Sequence, residues 1–319
     1  MKKIYLLGND VFDLMKKWGN QKGFRIPCQK FFDENNEELE KQIKNCFENP
    51  ITVFSIEVEG LRNKLRTLIN LSNRMERLPI ISLDHLCVPQ ADYFIEISRL
   101  VKFCPETNSW EDTGLGARPG YPHIQHQAKN IICDLKRKKR SKIILTDDGC
   151  WTANTLNYVS SLFLAEGMVV SKILVGIMIK RESQNLVVSD IEHVYNYYSS
   201  IIVDWVWARD FYPGVPLSGR TVTGCKHNQF SVGAVYLEGF GDLFQWASIS
   251  REKGRGFSSF CVSQAIKMFE KIEESSDKIV TIKDLTRVPY NHDVKIEEAC
   301  LEKRFVDFLR ERLANLRGT

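Results

Sequence analysis

The 319-residue sequence predicts an α/β protein: a largely parallel sheet flanked by helices, followed by a C-terminal α+β elaboration. Two observations predict it. Short apolar runs alternate with helix-length amphipathic stretches through the middle of the chain, the pattern of crossover units. Hydrophobic residues make up 43% and charged residues 26%, the balance of a folded globular chain.

The elements follow in order. Met1–Asp10 reads as a first strand, its apolar run too short for a secretory signal and closed by Asp10. Ile51-Thr52-Val53-Phe54-Ser55-Ile56 reads as a buried strand, and Leu61, Leu65, Leu68, Ile69 and Leu71 give residues 61–75 one apolar helical face. Pro79–Leu83 and Ala91–Ser98 read as further strands. Cys104–Pro122, punctuated by Pro105, Gly114, Gly116, Pro119 and Gly120, reads as a long irregular loop. A helix over 123–140, a strand at 142–146, a helix at 152–166 and strands at 169–179 and 200–205 follow. Past Pro213, turns lead to helices at 257–273 and 296–316. The division expected is an N-terminal βα extension (1–49), a core (50–214) and a C-terminal elaboration (215–319).

Composition excludes several classes. With 44 basic and 40 acidic residues the net charge is +4, so any basic site is local. The longest apolar stretch, Met168–Lys180, is interrupted by Ser171 and Lys172 and falls short of the ~20 residues a spanning helix needs. Nine scattered cysteines with no CxxC pair exclude a disulfide framework and a zinc knuckle. A cytoplasmic protein with no membrane partner is the expectation.

The chemistry concentrates in Thr146-Asp147-Asp148-Gly149-Cys150-Trp151-Thr152-Ala153-Asn154-Thr155-Leu156. In an open parallel sheet, ligands sit beyond the carboxyl ends of the strands, and a helix opening there offers N–H groups and a positive dipole end to phosphate. Thr152, Ala153, Asn154 and Thr155 open the helix, and Asp147 and Asp148 stand ready to accept hydrogen bonds from sugar hydroxyls. Phosphate beside a diol is a pentose phosphate. The competing reading is a plain strand-to-helix turn, where Asp and Gly are common for backbone reasons alone.

This segment resembles the phosphoribosyl-pyrophosphate loop of the type I phosphoribosyltransferases, in which an apolar strand runs into two acidic residues and a short Thr-rich loop. The resemblance covers about residues 50–210, the stretch 51–81 being similar to the family's first crossover, whose loop binds pyrophosphate. It implies that Asp147 and Asp148 hold the ribose hydroxyls and that Thr152, Ala153, Asn154 and Thr155 wrap the 5′-phosphate. Mg2+ would ride on substrate oxygens with no direct protein ligand. The activity implied is transfer or release of ribose-phosphate at C1 of phosphoribosyl pyrophosphate or a 5′-phosphonucleoside, with no catalytic residue specified. The chain departs from the family at Ala153, where the loop glycine stands, and at Trp151, where purine-using members carry a general-base carboxylate. Glu57 and Glu59 precede Arg62 in the expected pyrophosphate loop and would repel a diphosphate.

Residues expected on the base or pyrophosphate side are Arg62, Arg118 in the segment 114–120, which reads as an ordinary surface loop or else a mobile hood, and Trp207, Arg209, Asp210, Phe211 and Arg220, whose aromatics read equally as a packed strand edge. With its large C-terminal part the chain is similar to the phosphoribosyltransferase-like proteins of bacterial anti-phage systems, including those encoded beside retron reverse transcriptases. The alternative function is a non-catalytic nucleotide-sensing or assembly subunit. Its basic run Lys136-Arg137-Lys138-Lys139-Arg140 would then meet nucleic acid or a protein partner; otherwise the run is solvated and complements a helix dipole. A homo-oligomer is compatible with either function. His123 and His126 lack a third ligand for a metal.

Overall fold

A computed structural model describes residues 3–180, 187–223, 231–290 and 300–318. The strands are β1 (Lys3–Asn9), β2 (Ile51–Glu57), β3 (Ile80–Ser82), β4 (Tyr93–Phe94), β5 (Ile97–Cys104), β6 (Ser109–Ala117), β7 (Lys142–Cys150), β8 (Val169–Lys180), β9 (Ile191–Tyr198), β10 (Ile202–Trp207), β11 (Arg220–Val222), β12 (Ser231–Ala234) and β13 (Arg287–Pro289). The helices are α1 (Val11–Lys22), α2 (Gln29–Asn45), α3 (Val58–Ser72), α4 (Ile124–Arg137), α5 (Asn154–Ala165), α6 (Leu243–Ala247), α7 (Arg251–Ser276) and α8 (Phe305–Gly318). The fold is mixed α/β.

The chain forms two compact units. One comprises Met1–Ser55, Arg99–Gly114 and Val203–Thr319, the other Ile56–Ser98 and Leu115–Ile202. This partition departs from the expected cuts after 49 and 214. β2 and β10, both expected in the core, flank β1 in a separate three-stranded sheet, where the buried run Tyr5, Leu6, Leu7 lies between them.

The second unit carries a five-stranded sheet in the order β4-β3-β7-β8-β9, every neighbouring pair parallel. Ile124, Ala128, Ile131 and Leu135 of α4 and Leu156, Val159 and Phe163 of α5 recur at helical spacing and bury against Ile143, Leu145, Ile173 and Val175. Each such side chain contributes roughly 1.5–3 kcal/mol by leaving water. Strand alternation turns Gly176 to the opposite face, where α3 packs. A Cβ at Gly176 would stand 2.5 Å from the Asp148 carbonyl oxygen and 2.8 Å from Leu61 Cδ1, so only glycine admits the helix this closely.

Several expectations change. α3 begins directly at Val58, with Glu57 as its N-cap, so the segment expected to be a pyrophosphate loop is a first helical turn; buried Val58, Leu61, Leu65 and Ile69 start the helical period at once. β7 runs on to Cys150 because the long apolar β8 continues to offer it partners, pairing Asp147 with Val175, Gly149 with Ile177 and Cys150 with Met178. The expected strand 91–98 divides into β4 and the start of β5, which lie in different sheets. Within the expected irregular loop 104–122, Ser109–Ala117 form β6, with Gly114 accommodated inside it at φ 95°. Of the helix expected at 296–316, residues 296–299 lie outside the described residues and α8 begins at Phe305.

In the first unit, a five-stranded sheet is ordered β13-β12-β11-β5-β6, with β11 and β12 antiparallel. Beside it α7 buries Phe257, Cys261, Ala265 and Phe269, and Phe269 meets Phe305 of α8 edge-on at 4.8 Å.

Candidate functional site

In the second unit the strand order reverses direction between β3 and β7: β3 leads on to β4 at one side, while β7, β8 and β9 follow one another to the other. A crevice at the carboxyl ends of two such strands is where ligands bind in open parallel sheets. β3 pairs with β7 only as far as Ser82 opposite Thr146, and Leu83 N–H closes the pairing on the Thr146 carbonyl at 2.9 Å. Beyond that point Asp147 and Asp148 continue along β8, while the chain after β3 turns away. Asp84 holds that turn, its Oδ1 accepting from Leu86 N–H at 2.9 Å and Cys87 N–H at 2.6 Å. Arg62 of α3 steadies the same turn by donating Nε–H to the Leu86 carbonyl at 2.8 Å.

Burial, then the charge of Asp148, then that of Asp84 hold the Asp147 carboxyl well above the usual carboxylate range, partly offset by the Asp148 N–H donated to Asp147 Oδ1 at 2.9 Å. Hydroxyl donors or a cation carried by a ligand would relieve that load.

α5 opens a few residues further on. Ala153 is its N-cap at φ 65°, ψ −4°, the left-handed region that favours glycine. Its methyl is buried in the core with side chains of α4 and α5, so it packs inward. Among the described residues no side chain caps the helix; Thr152 and Asn154 are exposed and Thr155 is half-buried. Backbone N–H groups of an uncapped first turn are donors awaiting acceptors.

A second polar group lies at the ends of β3 and β4. Glu96, 7% exposed, has Arg118 Nε 2.8 Å from one carboxylate oxygen and His85 Nδ1 3.3 Å from the other. Gln127 accepts from Glu96 N–H at 2.8 Å and donates to the Glu96 and Pro122 carbonyls at 3.2 and 2.7 Å. Arg118, expected in a surface loop or a mobile hood, is instead held in this network, its own N–H donating to the Glu96 carbonyl at 3.0 Å. Sequence reasoning missed Asp84, His85 and Glu96. Their signal was the one that found Asp147 and Asp148: each lies within three residues of a strand's carboxyl end.

The remaining expected residues belong to the first unit. Trp207 is buried against β1, where a Cβ on Gly8 would meet its ring at 2.1 Å. Phe211 is wholly enclosed and edge-on to Phe257 at 5.1 Å, which removes its faces from stacking on a base. Arg209 pairs with buried Asp10; burial pushes the Asp10 carboxyl up to about 7 although Arg209 pulls it down. Asp210 accepts from Gly219 N–H at 2.7 Å, and burial raises it too. Arg220 lies over the Trp246 ring at 4.6 Å and reaches Asp112 at 3.2 Å. Within this unit these side chains serve its interior and its strand ends.

The basic run is exposed. Lys136 pairs with Glu166 at 3.4 Å, and Arg137 and Lys138 with Asp134 at 2.6 and 2.7 Å. It precedes β7 and so lies at the amino end of the strand whose far end carries Asp147. Among the described residues no group of His, Cys, Asp and Glu is placed to hold a metal, no disulfide forms, and no helix is long and apolar enough to cross a membrane.

Fold and site together define an α/β protein whose parallel sheet presents an acidic strand end and an uncapped helix at its switch point. No family model matches the chain, and no curated protein matches it. Among solved structures it is similar to a hypothetical protein from Neisseria gonorrhoeae with bound ppGpp, at 8% identity and a TM-score of 0.30, over 46% of this chain and 84% of that one.

Proposed function

We propose that the second unit binds a 5′-phosphorylated ribose, either phosphoribosyl pyrophosphate or a 5′-phosphonucleoside, together with Mg2+, as a phosphoribosyltransferase-like protein. The observation that carries this is the meeting of Asp147 and Asp148 with the uncapped entry of α5 at one strand end. The ribose hydroxyls donate to the two carboxylates; the 5′-phosphate accepts from the first-turn N–H groups and from the hydroxyls of Thr152 and Thr155. The gathering of Asp84, Asp147 and Asp148 at one strand end suits a cation brought in on substrate oxygens. When bound, Mg2+ neutralises charge developing on departing pyrophosphate, and ribose-phosphate is transferred or released at C1.

On this reading the protein works in the cytoplasm on the nucleotide pool, the setting in which an anti-phage effector would act. A second reading, a nucleotide-sensing or assembly subunit, is favoured by the basic run, which is remote from the crevice along β7 and can meet nucleic acid or a protein while the crevice is filled.

Calorimetric titration with phosphoribosyl pyrophosphate and Mg2+ tests the site. Micromolar binding that Asp147→Asn/Asp148→Asn loses is the expected result. Absence of binding by the folded wild-type chain removes the proposal, and binding without turnover leaves the sensing subunit.

A further inference from the structure

A proton-handling group stands at the same edge of the sheet. His85 Nδ1 is 3.3 Å from Glu96 Oε1, and the other Glu96 oxygen is engaged by Arg118 at 2.8 Å. Gln127 pins the Glu96 backbone on both its N–H and its carbonyl, so the carboxylate is a fixed post. A carboxylate fixed at Nδ1 selects the tautomer that carries its proton there and leaves Nε2 as a proton acceptor. Arg118 balances the Glu96 charge. The His85 side chain is 23% exposed, so solvent reaches it. His85 directly follows Asp84, whose charge acts on Asp147.

We propose that His85 is the general base of a hydrolytic site, with Glu96 as its positioning residue; the inference rests on the sugar-phosphate reading above. Water needs only a proton acceptor and access, and His85 offers both. The oxygen of a water molecule bonds to C1 of phosphoribosyl pyrophosphate as the bond from C1 to the pyrophosphate oxygen breaks. The electron pair of that bond leaves with pyrophosphate. One proton of the attacking water passes to His85 Nε2 and on to solvent, and the products are ribose 5-phosphate and pyrophosphate.

The test incubates the full chain with phosphoribosyl pyrophosphate and Mg2+ in 18O-labelled water without any nucleobase, following pyrophosphate release and label in ribose 5-phosphate, with calorimetry alongside. The wild type is expected to turn over with label incorporated. His85→Gln is expected to lose about 10²–10⁴-fold in rate while keeping its affinity. Glu96→Gln is expected to slow turnover and displace the acid limb of the pH–rate profile, which Glu96→Asp restores in part. Thermal melts check that each variant is folded, and if Glu96→Gln is not, His85→Gln decides. Wild-type binding without labelled product, or a folded His85→Gln at the wild-type rate, overturns this inference and leaves the binding site standing. No binding at all by the wild type overturns both.

Discussion

Asp147 carries the largest electrostatic load of the proposed site, and the load has a consequence for stability. Its folded pKa is raised by burial, by Asp148 and by Asp84, so its contribution to stability is present below the unfolded value and is lost as pH rises through the folded one. Asp147→Asn/Asp148→Asn should therefore melt at or above the wild-type temperature at pH 8, with the advantage shrinking toward pH 4. A variant that unfolds at pH 8 would make the pair structural. These two residues were legible because strand, carboxylates and helix entry are contiguous in sequence. Asp84, His85 and Glu96 were not: β3 and β4 are only three and two residues long, too short for alternation to announce a strand end. Only the pairing of β3 with β7 brings Asp84 to Asp147, and that pairing joins residues some sixty positions apart.

The helices α3, α4 and α5 were legible from their apolar period, since a helix satisfies its own backbone. The strands were less so, because their ends depend on partners. β7 extends past Thr146 on account of β8, and β6 holds two glycines that read as loop. β9 was not anticipated, its Glu192, His193 and Asn196 breaking the apolar run of an edge strand. Packing of α3 on β8 depends on Gly176. Gly176→Ala should cost about 1–3 kcal/mol in urea unfolding, as overpacking does, and should weaken phosphoribosyl pyrophosphate binding because the crowded atom is the Asp148 carbonyl. A melt and an affinity equal to wild type would show that α3 gives way freely.

For the whole chain, the buried carboxyls set the response to pH. Burial raises Asp10 to about 7 and Asp204 to about 6, against an ordinary value of 3.8. The folded state then holds protons that the unfolded state has released, so stability is present below pH ~4 and is lost as pH climbs through 6 and 7, by up to about 1.4 kcal/mol per pH unit for each proton. Asp134 acts oppositely, its carboxyl held down by Lys138, Tyr93 and Arg137, but it lies at the surface among exposed cations, where solvent screens the pairs. Thermal unfolding should occur at a lower temperature at pH 8 than at pH 5.5; an unchanged midpoint would mean that Arg209 keeps Asp10 ionised throughout. The alternation of strands and helices revealed the fold class but not the partition into units, because chain contiguity says nothing about which sheet a strand joins. The polypeptide passes from one unit to the other four times, after Ser55, Ser98, Gly114 and Ile202. In genetic terms, the unit bearing the acidic crevice is encoded as two inserts within the coding frame of its neighbour. A gene segment cut at codons 50 and 214 would carry β2 and β10 away from β1, and β5 away from β11.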